Sequence, residues 1–436
     1  MIETLNSDCF CVSLDKEALR RALDSDPATH GLHGMIEERC PNLFASLPVF
    51  VSRRHVDEMA SVIRAVEEVV GLPAYQETVL AWAPGIARHD PGAAGAFIGY
   101  DFHVGAAGPQ LIEINTNAGG ALLNTVLARA QRACCKEIEV LVSGPVPAKD
   151  LERTLFAMFA AEWRRSGRAG LPQRVAIVDD APEQQFMYPE FLLFAQLFRR
   201  FGIEAEVRAP EQLVYEDGVL RDSLGPVDLV YNRLTDFAFE TAEHASLRAA
   251  YLADAAVITP HPRAHALYAD KRNLSLLGDA DRLRSWGVRE AVIAELQGGV
   301  PRTQIVNASD GERLWAERRK LFFKPAAGHG SRAAYRGDKI TRRVWGEILA
   351  GAYVAQALVL PSERKIGPQT SLKVDVRNYV YQGDVQLLAA RLYRGQTTNM
   401  RTAGGGFAPV LTTPSSVAGR EPERGRPAQR ETPVAA

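Results

Sequence analysis

Leu111-Ile112-Glu113-Ile114-Asn115-Thr116-Asn117-Ala118-Gly119-Gly120-Ala121-Leu122-Leu123-Asn124 is the stretch on which the reading of this chain turns. Leu111, Ile112 and Ile114 predict a buried strand, while Glu113 and Asn115, two residues apart, share one face of it. A carboxylate and an amide carbonyl pointing the same way are hard oxygen donors. Mg²⁺ accepts such donors while keeping its other positions for water and phosphate. Gly119 and Gly120 permit a close turn, and 121–132 reads as a helix whose first N–H groups would face an anion. A polar-faced strand followed by an ordinary glycine turn explains the same residues, so the rest of the chain has to decide.

Upstream, Ala96 to Val104 alternates like a strand and Gly105 to Gly108 makes a turn, which predicts a hairpin carrying Asp101 opposite the Glu113 strand. Residues 14–84 carry helical signals, among them Asp57 to Val70 with an acidic start. Further on, Arg174 to Asp179, the helical run Glu190 to Phe198, Ile203 to Val207 and Val227 to Arg233 alternate strand and helix. That pattern predicts an α/β lobe with a mostly parallel sheet over about 170–260. Residues 265–300 return to helix, and Lys320–Pro325, Tyr353–Leu360, Leu372–Tyr381 and Val385–Tyr393 read as strands of an antiparallel sheet. From Thr413 the chain is dense in Pro, Arg and Glu without aromatics, the composition of a disordered tail.

Composition narrows the function classes. Hydrophobic residues make up 46% and charged ones 24% of 436 residues, which fits a globular protein with a large core. Lys+Arg number 51 against Asp+Glu 52, so the basic excess of a nucleic-acid or membrane-surface protein is missing. No apolar run approaches the roughly 20 residues of a membrane helix, and Met1 to Asn6 lacks the pattern of a secretory signal. The five cysteines, including Cys9, Cys11, Cys134 and Cys135, have neither zinc-ligand spacing nor a disulfide framework. A reducing cytoplasm is the expected compartment.

Four further features suit phosphate chemistry. Lys324 ends an apolar strand ahead of a small-residue loop holding Gly328, His329, Gly330 and Ser331, where loop N–H groups can cover phosphate oxygens. Lys271 opens a helical stretch. Tyr353 to Leu358, containing Gln356 and Ala357, reads as a strand whose backbone edge could pair with a base. Arg377, Arg391, Arg394 and Arg401 precede the Gly404–Gly406 triplet, and guanidinium forks on successive strands suit phosphate or carboxylate. Each of these alone is equally a solvated lysine, a core strand or a surface arginine.

Together, Lys271, the Lys324-Pro325 loop, the 353–358 strand, the Asp375-Val376-Arg377 strand and the Glu113-x-Asn115 strand resemble the ATP-grasp superfamily. The Glu-x-Asn strand here precedes both lysines by more than 150 residues. That order resembles the circularly permuted branch typified by eukaryotic glutathione synthetase, with glutathionylspermidine synthetase a further relative. The resemblance implies an α/β ATP-grasp fold with an inserted parallel-sheet lobe. Its parts would be 1–145 with the metal-strand hairpin, a substrate lobe at 146–260, a nucleotide-binding region at 261–414 and a tail at 415–436. It implies Mg²⁺ on Asp101, Glu113 and Asn115, and ATP held by Lys271, Lys324, Gly328, Gly330, Ser331, Gln356, Ala357 and Arg377. Arg401 would act with Lys324 in catalysis, and Arg233, Gln185 and Asn117 would contact substrate.

Departures from the family pattern matter as well. Gly328 stands where a metal-binding glutamate is usual, Ala403 replaces a lysine, Gly99 an arginine, and Gln356 an acidic hinge residue. Glutathione synthesis itself is therefore not expected. The implied activity is an ATP- and Mg²⁺-dependent carboxylate–amine ligase working through an acyl phosphate on small-molecule acid and amine substrates. A small-molecule phosphotransferase and a non-catalytic ATP-binding protein share the same motifs, and a homodimer is left open. Neither nucleic acid nor membrane is an expected partner.

Overall fold

The computed structural model describes residues 2–133, 150–328 and 333–413 of the chain. The predicted tail, Cys134, Cys135, His329, Gly330 and Ser331 lie outside the described residues.

A turn with Gly108 at φ +93° folds the Ile98–Gly105 strand onto the Gly108–Asn115 strand. The pair is antiparallel, with Asp101 opposite Glu113 and Gly99 opposite Asn115. Tyr100 and Phe102 alternate onto one face, and a register shift at Ile112, which leaves Phe102 opposite Leu111, brings Leu111 onto that face with Ile114. All four join one apolar cluster against Met59, Ile63, Val66 and Val69 of the Arg53–Val70 helix. Side chains of this size contribute about 1.5–3 kcal/mol each when fully buried. The helix begins four residues earlier than its acidic stretch suggested. Ser52 is the cap, its Oγ accepting the His55 N–H at 3.1 Å, a neutral acceptor placed just ahead of the apolar stripe.

The hairpin forms one edge of a seven-stranded sheet. Thr370–Tyr381 pairs with Ile98–Gly105, then come Asp384–Tyr393, Gly406–Thr413 and Val49–Ser52, and Ser362–Gly367 also pairs with Thr370–Tyr381. The lysine strand, Leu321–Pro325, belongs elsewhere. It sits in a four-stranded antiparallel sheet ordered Thr303–Ile305, Tyr353–Ala357, Leu321–Pro325 and Tyr335–Arg336. The single antiparallel sheet read from the sequence is thus two. Period-two alternation fixes which face of a strand is buried but not its neighbours.

Strands Val257–Thr259, Leu229–Asn232, Arg174–Val178 and Glu204–Arg208 make an all-parallel sheet in that spatial order. Phe159 of the Leu151–Arg165 helix and Phe194 and Phe198 of the Tyr188–Arg200 helix cover one face, with Ile177 and Tyr231. Leu247 and Tyr251 of Ala245–Leu252 cover the other, with Val178 and Val230. Burial on both faces is why these strands read as continuous apolar runs. No helix among the described residues is long and apolar enough to cross a membrane.

Candidate active site

The lysine strand faces the Glu113 strand across a cleft of about 690 Å³. Lys324 Nζ donates to the Ile112 carbonyl at 2.7 Å and to Gln356 Oε1 at 2.9 Å. Burial disfavours its charged form more than Glu113 restores it, and its pKa falls to about 8. Lys271 precedes the short Asn273–Leu277 helix rather than opening it, and its backbone N–H bonds to Ala326 O. Its Nζ reaches Gly328 O at 3.2 Å and Glu113 Oε1 at 3.1 Å. Glu113 is half-buried, and Lys271 and Lys324 outweigh its desolvation and hold its carboxyl below the ordinary range. Gln356, Ala357, Leu358 and Val359 line the same cleft with His103 and Tyr393. His103 Nδ1 is bonded to Val359 O at 2.8 Å.

A second cavity, about 1220 Å³, adjoins the first at the Glu113 strand. Ile112, Glu113, Lys271, Gly328 and Thr398 line both spaces. The second cavity continues to Asn117, Gln185 and Arg233, bringing all three expected substrate contacts to one place. Arg233 follows the Leu229–Asn232 strand, and the mouth of the cavity is at the carboxyl ends of the parallel strands, the usual ligand position in such sheets. Asn117 Nδ2 donates to the carbonyls of Arg233 and Leu234 at 2.7 and 3.0 Å. Gln185 Nε2 is tied to Asp180 O at 2.5 Å.

Several expectations need correction. Asp101 is 2% exposed, and its carboxylate receives Arg377 through Nε and Nη2 at 2.6 Å each and Arg391 Nη2 at 2.7 Å. Burial would raise its pKa, but the two guanidinium groups hold it at about 2. Arg391 also pairs with Asp375 at 2.7 Å. Asp101 is therefore the anchor of an ionic network, its charge already offset, and not a free third metal ligand. Arg377 and Arg391 are likewise engaged, although both border the second cavity. Arg401 is exposed and lines neither space, whereas Thr398, three residues earlier, lines both.

The backbone of 353–357 has no open edge, because the strand is paired on one side with Thr303–Ile305 and on the other with Leu321–Pro325. Any backbone contact to a base thus falls to the residues after Ala357, of which Leu358 N–H is itself bonded to Lys320 O. Nor does the helix after Gly120 offer its N–H groups to an anion. Glu190, fully buried, accepts Gly120 N–H at 2.7 Å and Leu122 N–H at 3.0 Å.

Among the described residues no group of three or more His, Cys, Asp or Glu is gathered for a metal. Glu113 and Asn115 nonetheless fit Mg²⁺. Asn115 Nδ2 donates to Asp101 at 3.0 Å, which fixes the amide and leaves Oδ1 free of that bond, and both Asn115 and Glu113 line the second cavity. Two oxygen donors are an adequate protein set for an ion that takes phosphates and water as its other ligands.

The sequence reading missed Glu190 and Asp179. Glu190 did leave a signal, a lone carboxylate directly ahead of the apolar run Phe191 to Phe198. Asp179 left one too, directly after an apolar strand and at the end where ligands bind.

No family model and no curated protein sequence matches the chain. Among solved structures it is similar to a glutathione synthetase-like effector from Globodera pallida, at 11% identity over 84% of this chain and 89% of that one, with a TM-score of 0.53. A putative gamma-glutamylcysteine synthetase from Methylobacillus flagellatus aligns at 9% identity over 83% and 89%, with a TM-score of 0.48. The ATP-grasp ligase PsnB aligns at 14% over 55% and 89%, with a TM-score of 0.30. The chain has the ATP-grasp fold.

Proposed function

We propose that this protein is an ATP- and Mg²⁺-dependent ligase joining a small-molecule carboxylate to an amine through an acyl phosphate. The observation that carries the reading is the common wall: Glu113, Lys271, Gly328 and Thr398 border both the lysine-lined cleft and the cavity that holds Arg233. A nucleotide in the first and an acid in the second would meet at that wall, and acyl transfer of this kind needs positioning and charge neutralisation more than a protein nucleophile. Glu113 and Asn115 would hold Mg²⁺, which supplies charge compensation on the phosphates when bound. Lys324 and Lys271 orient the phosphate oxygens, the arm of Lys324 fixed by Ile112 O and Gln356. Arg233 clamps a substrate carboxylate. The chain order, metal strand before both lysines, supports the permuted arrangement of the family.

The test is mass spectrometry after incubating the protein, ATP and Mg²⁺ with pooled amino acids, small peptides and polyamines. The ligase reading expects an amide product with ADP and phosphate. A stable phosphorylated product would instead make the protein a phosphotransferase, and ATP binding without any turnover would remove the enzymatic reading.

A further inference from the structure

At the carboxyl ends of two adjacent parallel strands the backbone brings Asp179 and Arg233 together. Val178 is in register with Asn232, and Arg233 N–H bonds to Val178 O at 2.8 Å. Both side chains border the second cavity, and Asp179 is 8% and Arg233 6% exposed. Opposite charges so placed ordinarily pair. These two make no ion pair, and neither finds another charged partner within 4 Å among the described residues. Asp179 accepts only the neighbouring Asp180 N–H, at 2.9 Å. Arg233 reaches the Tyr231 hydroxyl at 3.2 Å and Asn117 O at 3.5 Å, and its buried Nε has no acceptor. Asn117 Oδ1 is buried without a donor as well.

Arg233 also feels the buried Glu190, whose oxygens are taken by the Gly120 and Leu122 N–H groups. A buried guanidinium and a buried carboxylate without direct ion-pair partners are thus costly unless a ligand completes both. A dicarboxylate would satisfy Arg233 and repel Asp179, whereas a polyamine would do the reverse. A group carrying an ammonium and a carboxylate on neighbouring atoms satisfies both, and its N–H donors can also serve Asn117 Oδ1. We propose that Asp179 is the ammonium-reading residue of this cavity, so that the acid substrate presents a free α-amino-acid head, its carboxylate on Arg233 and its ammonium on Asp179. Asp180 has a different task, since its carboxylate turns to His244 Nε2 at 2.9 Å. Burial pushes the Asp179 carboxyl up to about 7 despite the pull of Arg233, in keeping with a site that lacks its cation. The assignment rests on the second cavity being the acid site of the proposed ligase.

The experiment is calorimetric titration of the full chain with matched pairs differing only in the amino group: L-glutamate against glutarate, L-aspartate against succinate, and γ-L-glutamyl-L-alanine against glutaryl-L-alanine. At least one amino member should bind, its partner at least 10-fold more weakly. Asp179→Asn should lose that preference, and Asp180→Asn should keep it. Binding of no amino member, equal binding of both members of every pair, or an intact preference in a folded Asp179→Asn variant would each overturn the proposal. Hydroxylamine trapping with ATP and Mg²⁺, run in parallel, reads acyl-phosphate formation. Selective binding without hydroxamate would sink the ligase reading and leave this one standing; hydroxamate from the des-amino members as readily as from the amino ones would do the opposite.

Discussion

Lys271 and Glu113 close an ion pair of 3.1 Å at the wall between the two cavities. The cation that the proposal assigns to phosphate and the carboxylate that it assigns to Mg²⁺ thus lie within ion-pair distance of each other. Binding of Mg²⁺ and ATP would be an exchange of partners, Glu113 turning to the metal and Lys271 to a phosphate, with no charge left bare at either stage. The pair offsets the charge of the buried Lys271 with that of the half-buried Glu113.

Glu113→Gln removes the carboxylate that the proposal assigns to Mg²⁺ and takes from Lys271 its ion-pair partner. Mg²⁺-dependent ADP formation should fall by at least about 100-fold, a loss of the size expected when a charge-stabilising group at the reacting centre is deleted. Circular dichroism should show the fold intact. Full activity in a folded variant would refute the metal assignment.

In the proposed ligase Lys324 would hold phosphate as a cation, and its pKa of about 8 means that the cation is present below that pH and lost above it. ATP affinity should therefore weaken as pH rises from 7 to 9. Gln356→Glu would place a carboxylate where the amide oxygen now lies 2.9 Å from Nζ, raising the lysine's proton affinity and moving the weakening to higher pH. An unchanged profile in that variant would show that another group controls it.

Asp101→Asn separates two explanations of one residue. As the anchor of Arg377 and Arg391 it should cost roughly 3–5 kcal/mol of stability, the usual loss when a buried ion pair is broken from one side. A metal ligand would instead lose activity with little change in a urea melt. Because Asp101 is held at about 2, well below an unfolded carboxyl near 4, its contribution is complete above that unfolded value. It drains away as pH falls towards 2, so the acid limb of the wild-type stability curve should flatten in the variant.

Gly120 has φ +102°, and a Cβ there would lie 2.2 Å from Phe407 Cζ. Gly120→Ala combines left-handed backbone strain with overpacking, and should destabilise by about 2–5 kcal/mol in chemical denaturation. Phe407→Leu in the same chain should restore part of the loss.

What the sequence made legible was local. Glu113 and Asn115 share a face because the strand period is two, and the parallel lobe announced itself through apolar runs such as Arg174 to Val178. Gly105 and Gly108 mark the hairpin turn. What stayed hidden was pairing at a distance. Asp101 meets Arg377 across 276 positions of chain, and no periodicity says whether an arginine on a strand is free or engaged. The helix after Gly120 looked open because Glu190, 70 residues on, could not be placed against it. Arg401 sat in the right motif, but the loop that carries it turns its side chain to solvent.

The Asp101–Arg377–Arg391–Asp375 network joins three adjacent strands of the seven-stranded sheet at the floor of the second cavity. Sliding any one of those strands would pull apart charges that water cannot reach to shield. That floor acts as an anvil. The small lysine sheet has its own apolar cluster around Phe323 and Trp345, separate from the cores beneath the anvil, so in the proposed ligase any hinging that admits a nucleotide would fall to that sheet.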